Sequence, residues 1–159
     1  MVRLLIETIY RMKSFKKHPF KDEIIEKIRK SIKYFPELNG ILYVGITSNS
    51  LAEAQADVDN MMVKFKINYN PSFRTIFHEI MHLVQYNCKD FPKTEQSCDI
   101  FSLARIPEEL MLLEKDNSCY VISRGNYSDV EIAKKALEYR NSGKKDYIRY
   151  FNKLMGENN

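Results

Sequence analysis

Tryptophan is absent from the 159 residues, and glycine and proline occur only five times each. No Gly/Ser linker, low-complexity tract or internal repeat divides the chain, so a single domain over 1–159 is expected. Three cysteines, Cys88, Cys98 and Cys119, form an odd set without a CxxC pair. That argues against a disulfide framework, leaving buried free thiols as the expectation. No uninterrupted apolar run is long enough to span a bilayer. The opening MVRLLIETIYRMKSFKK also lacks the unbroken apolar centre and small-residue cleavage site of a secretory signal, so a cytoplasmic protein is expected. Charge of one sign is scarce too: 25 Lys+Arg against 21 Asp+Glu leave a net +4, spread over short pairs such as Lys134-Lys135. Nucleic-acid binding, which needs a clustered basic footprint, is not expected.

What is present is a globular balance, 44% hydrophobic and 29% charged, in a chain long enough to bury a real core. Ile24, Ile25, Ile28 and Ile32 recur at helical spacing and predict a helix over 21–34, closed by Pro36 and Gly40. The short apolar run 41–46 reads as a buried strand, and 52–58 as a second. Residues 62–69 alternate Val63, Phe65, Ile67 and Tyr69 with polar residues, which predicts a half-buried strand. A helix is expected from 72 to 87, a second near 93–105 and a third over 107–115, with Pro107 at its first position. Residues 118–123 read as a short strand or extended loop. Ser128 and Glu131 have the form of a capping box, with Asn141-Ser142-Gly143 as the matching stop and a last helix over 144–155. Helix, strands, then helices alone predict an α+β domain with a small antiparallel sheet, rather than a doubly wound one. The catalytic core is expected over about 21–115, with a C-terminal helical extension over about 128–156.

Residues 78–82 read His-Glu-Ile-Met-His, an HExxH pattern inside the strongest helix. Residues four apart share a helical face, so His78 and His82 can reach one ion. Glu79 then stands beside the position left for water, whose proton its carboxylate can take and later pass to a leaving amine. Zinc suits imidazole ligands and is the expected cofactor. At 100° per residue Phe73, Ile76, Phe77, Ile80, Leu83 and Val84 make one apolar arc, with His78 and His82 opposite it and Thr75 and Gln85 nearby. Core histidines would interrupt that arc. The third histidine, His18, beside Pro19 in a basic stretch, reads as a surface residue.

A catalytic zinc takes three protein ligands and leaves one position open. Twelve residues separate His82 from Glu95-Gln96-Ser97-Cys98-Asp99, which supplies an ExxxD pattern on the next predicted helix. Together the two motifs resemble the gluzincin metallopeptidases. The likeness is specific over 72–105 and greatest to the minimal, single-domain archaeal minigluzincins. A weaker likeness, through Glu95, Asp99 and Phe101, is to ImmA/IrrE-type regulatory peptidases. The resemblance implies that Glu95 is the third zinc ligand and that Asp99 orients the imidazole of His78 from the second shell. A ligand histidine must donate its other ring N–H somewhere, and a carboxylate fixes its tautomer. Cys88 and Asp90 stay open as other third ligands, while Cys98 reads as a small buried residue. A metzincin is excluded, because Gln85 and Cys88 stand where that pattern needs Gly and His.

The resemblance also implies an exposed strand edge that holds an extended peptide, with 62–69 as a candidate for the sheet beside the cleft. Tyr86, Tyr120 and Tyr127 are candidate oxyanion donors. The expected activity is peptide-bond hydrolysis on a peptide or protein substrate, with no membrane partner. Helices over 129–155 are candidates to cover the cleft and keep the enzyme latent. Two rivals remain: a regulatory protease specific for one protein partner, and a zinc-stabilised binding module that makes no use of Glu79.

Overall fold

The isoleucines at helical spacing form α1 (Lys21–Ile32) in the computed structural model, which describes residues 6–114 and 127–156. Its Ile24, Ile25 and Ile28 are buried. Around it stand the strands β1 (Ile6–Arg11), β2 (Gly40–Ile46), β3 (Ala54–Asp57) and β4 (Met62–Phe65) and the helix α2 (Phe73–Asn87). They belong to the first of two compact units, Met1–Phe91; the second is Pro92–Asn159. The fold is α+β, as the element order implies.

The sheet is mixed rather than antiparallel. Its order is β1-β2-β4-β3, with β1·β2 and β2·β4 parallel and only β3·β4 antiparallel. The expectation of an antiparallel sheet failed because the first strand is hard to see. A register shift between Ile6 and Thr8 breaks the alternation of β1, so its apolar residues Ile6 and Ile9 fall three apart. With β1 in place, α1 becomes the crossover that a parallel pair requires. On the core side of the inner strands, Leu42 and Val44 of β2 and Val63 and Phe65 of β4 are fully buried. Ile41, at the start of β2, is 45% exposed, so that strand is not buried throughout.

The strand expected over 62–69 stops at Phe65. Lys66 opens a turn closed by Tyr69 N–H donating to the Lys66 carbonyl at 3.0 Å, with Asn68 in the left-handed region at φ 68°. Ile67 is consequently 43% exposed, although it continues the alternation. His18 explains why the turn sits where it does. It is 1% exposed, not a surface residue. Its Nε2–H donates to the Lys66 carbonyl at 3.0 Å, while its Nδ1 accepts from Phe20 N–H at 3.2 Å. Both ring nitrogens are consumed by backbone, which makes burial of the neutral ring affordable. The neighbouring Phe15 and Phe20 rings, with centroids 5.4 and 6.1 Å away, complete its surroundings.

In the second unit, α3 (Glu95–Arg105) and a short helix α4 (Glu108–Met111) precede α5 (Asp129–Asn141) and α6 (Tyr147–Met155). Pro107 is the N-cap of α4 rather than its first residue. The expected strand or loop over 118–123 lies outside the described residues. The capping box on α5 is present: Ser128 N–H donates to Glu131 Oε2 at 2.7 Å and Glu131 N–H to Ser128 Oγ at 3.3 Å. Gly143, at φ 91°, follows the last turn, as the stop signal requires. The helix expected over 144–155 begins three residues later, at Tyr147. Helices α3, α5 and α6 pack on one another around Ile100, Leu103, Ile132, Ala133 and Ala136.

Two expectations test this account. His18→Phe keeps the ring but removes both backbone hydrogen bonds, and should cost about 1–3 kcal/mol in urea unfolding. At the edge of the sheet, Lys64 Nζ donates to Asp57 Oδ2 at 2.6 Å and holds that carboxyl below its ordinary range, with Asn60 adding to the effect. A lowered folded value means the contribution is full above the unfolded carboxyl range, near pH ~3.9. It is lost as pH falls through the folded value. Asp57→Asn should therefore flatten the acid limb of stability against pH, by no more than ~1 kcal/mol for a partly exposed pair.

Candidate metal centre

The helix that carries His78, Glu79 and His82 is fixed at both ends. Ser72 is the N-cap of α2, its Oγ accepting from Thr75 N–H at 3.1 Å. Just before it, Lys27 of α1 donates to the Pro71 carbonyl at 2.8 Å and to Asn70 Oδ1 at 3.1 Å. Asn70 in turn donates to Glu23 Oε1 at 2.9 Å. At the far end Asn87 Nδ2 donates to the Leu83 carbonyl at 2.8 Å. Between these ends the expected arc of Phe73, Ile76, Phe77, Ile80, Leu83 and Val84 is buried throughout. The helix packs on β3, β4 and α1, and Phe77 meets the Phe35 ring with centroids 5.2 Å apart. Met81 and Gln85, outside the arc, are buried as well.

Away from that arc the two imidazoles face each other. His82 Nε2 lies 3.0 Å from His78 Nε2, with ring centroids 4.7 Å apart and planes at 85°. Both rings are half-buried. Two nitrogens bound to one tetrahedral zinc at about 2.0–2.1 Å stand roughly 3.3–3.4 Å apart. The observed spacing is within a few tenths of an ångström of that, so the pair fits zinc with a small opening of the rings. The other nitrogen of His82, Nδ1, lies 3.1 Å from Gln85 Oε1, one turn further along the helix. An amide oxygen only accepts, so in this contact Nδ1 is the donor, and a neutral His82 ring then keeps its lone pair on Nε2. Glu79 is 8% exposed, a buried carboxyl on the residue next to His78.

The remaining candidates lie elsewhere on the chain. Glu95 and Asp99 are in the second unit, one turn apart on α3, with Glu95 exposed at its first residue and Asp99 half-buried. That end of α3 is anchored within its own unit. Thr94 Oγ1 accepts from Ser97 N–H at 3.2 Å and donates to Ser97 Oγ at 2.8 Å, and Ser97 Oγ meets Tyr147 OH at 2.8 Å. Cys98, three residues after Glu95, is buried, and Cys88 is half-buried just past α2; neither forms a disulfide among the described residues. Asp90 is exposed. Tyr86 lies four residues beyond His82 on α2 and is 53% exposed; Tyr127 is 40% exposed, and Tyr120 lies outside the described residues.

Two features around α2 were not recognisable from the sequence. The contact of Gln85 with His82 was signalled only by proximity on a helical wheel. The strand edge beside α2 belongs to β3, not to the 62–69 segment, because β4 is paired on both sides, by β2 and β3. β3 packs against α2, and among the described residues its other edge carries no strand. No protein-family profile, curated protein or solved structure matches this chain. No helix among the described residues is long and apolar enough to cross a membrane.

If the facing nitrogens hold the ion, His78→Ala and His82→Ala should each reduce zinc affinity by at least tenfold, as read by competition with a chromophoric chelator. An affinity unchanged in both variants would place any bound zinc elsewhere.

Proposed function

We propose that the chain is a zinc-dependent metallopeptidase of gluzincin type, acting in the cytoplasm on a peptide or protein substrate. The observation that carries this reading is the facing pair of His78 and His82 Nε2 atoms, 3.0 Å apart on one helix with the buried Glu79 between them in sequence. A chance HExxH on a surface helix has no reason to aim both rings at one point. Glu95, by the likeness of its ExxxD motif, is the proposed third ligand, and Asp99 the carboxylate that orients His78.

Zinc at such a centre supplies a Lewis acid that polarises the scissile carbonyl and makes a water acidic enough to lose its proton near neutral pH. Glu79 takes that proton as the water attacks and returns it to the departing amine nitrogen. Its burial keeps the carboxylate out of bulk water, and in that lower-dielectric setting a fixed charge acts more strongly. The outer edge of β3, Ala54–Asp57, offers main-chain N–H and C=O groups that can pair with an extended peptide. Tyr86, one turn after His82 on the same helix, is the proposed oxyanion donor.

The decisive experiment measures zinc per chain and hydrolysis of a quenched peptide mixture together. Glu79→Gln should retain zinc and lose at least a hundredfold in kcat, because it keeps shape and removes the base. Glu95→Ala should lose zinc, whereas Cys98→Ala, one turn along the same helix, should keep it. Zinc lost from Cys98→Ala instead would move the third ligand to the thiolate. A wild-type chain that takes up no zinc when metal is offered sinks the peptidase reading. Zinc-loaded protein with no hydrolysis, and a biological role unaffected by Glu79→Gln, would mark a zinc-stabilised binding module.

A further inference from the structure

We infer that Gln85 is a positioning residue for the metal centre: its carboxamide oxygen holds His82 in the Nδ1–H tautomer and so presents the Nε2 lone pair to the ion. The inference rests on the proposed role of the His78–His82 pair as metal ligands. Gln85 stands three residues after His82, the spacing at which helical side chains meet. It is 1% exposed, and its Oε1 lies 3.1 Å from His82 Nδ1. A long polar side chain buried to that degree needs partners for its amide, and an imidazole N–H is one the amide oxygen can accept from.

The consequence reaches the second histidine. Two neutral imidazoles with Nε2 atoms 3.0 Å apart attract only if one of those nitrogens carries a hydrogen and the other does not. Gln85 settles which: His82 is already protonated on Nδ1, so in the metal-free chain the hydrogen between the rings belongs to His78. His82 is thus set in its ligand form before metal arrives, and only His78 must exchange its tautomer.

The test uses the full chain in two measurements. Long-range 1H–15N spectra of the metal-free protein read the tautomer of His82 directly. Competition titrations with a chromophoric chelator read zinc affinity in wild type, Gln85→Met and Gln85→Glu. The expected result is an Nδ1–H form of His82 in wild type that gives way to Nε2–H in Gln85→Met. Zinc affinity should fall ten- to a hundredfold in Gln85→Met, with recovery in Gln85→Glu, which restores an acceptor. A proton on Nε2 of His82 in the wild-type metal-free chain overturns the inference, even if Gln85→Met fails to fold and cannot be titrated. So does a folded Gln85→Met that binds zinc as tightly as wild type. A wild-type chain that takes up no zinc overturns the metal reading itself, and the presenting role with it, whichever tautomer the spectra show. The titration of wild type alone thus separates the two failures.

Discussion

Everything the centre can do depends on one helix keeping its pitch. Side chains four residues apart on an α-helix meet because each turn rises only about 5.4 Å, and a frayed or kinked turn would separate them. The 3.0 Å between the two Nε2 atoms is therefore a statement about the regularity of α2 from His78 to His82. Propensity alone does not secure it, since short isolated helices are marginal in water. The buried arc against β3, β4 and α1 supplies the packing. Ser72 satisfies an orphan amide at the start, and Lys27 and Asn70 fix the chain as it enters. The sheet and α1 are a cradle for one helix.

That dependence shows which parts of the structure were legible beforehand. Long periodic signals translated well: the isoleucines of α1, the arc of α2 and the capping box of α5 each reflect a local rule with one solution. The sheet was harder because strand pairing is non-local. β1 was hidden by its own bulge, and without it nothing required parallel pairing. β4 was read too long because alternation persists through Ile67 and Tyr69. What ends it is a left-handed Asn68 and a hydrogen bond from a histidine 48 residues earlier in the chain. No window of sequence contains that contact.

The same division runs through the candidate site. His78, Glu79 and His82 stand in a local pattern whose geometry the helix dictates, so their placement follows once the helix is granted. Glu95 and Asp99 share a face of α3 by the same rule, but α3 belongs to the second compact unit, and helical periodicity says nothing about a partner there. Gln85 falls between these cases. Its spacing from His82 is local, yet glutamine carries no motif signal. Only its burial and its amide contact mark it as a neighbour of His82.

The three histidines of this small chain also differ in what their rings do. Burial alone does not separate them, for His18 is the most buried of the three. The difference lies in what each ring nitrogen faces. In His18 one nitrogen donates to a carbonyl and the other accepts from an amide, so both are committed to backbone and the ring acts as a brace. In His82 one nitrogen faces an amide oxygen, and the other faces the same atom of another imidazole. Under the proposed reading, a zinc ion between them would take the lone pair of His82 and, once His78 has exchanged its tautomer, that of His78 as well.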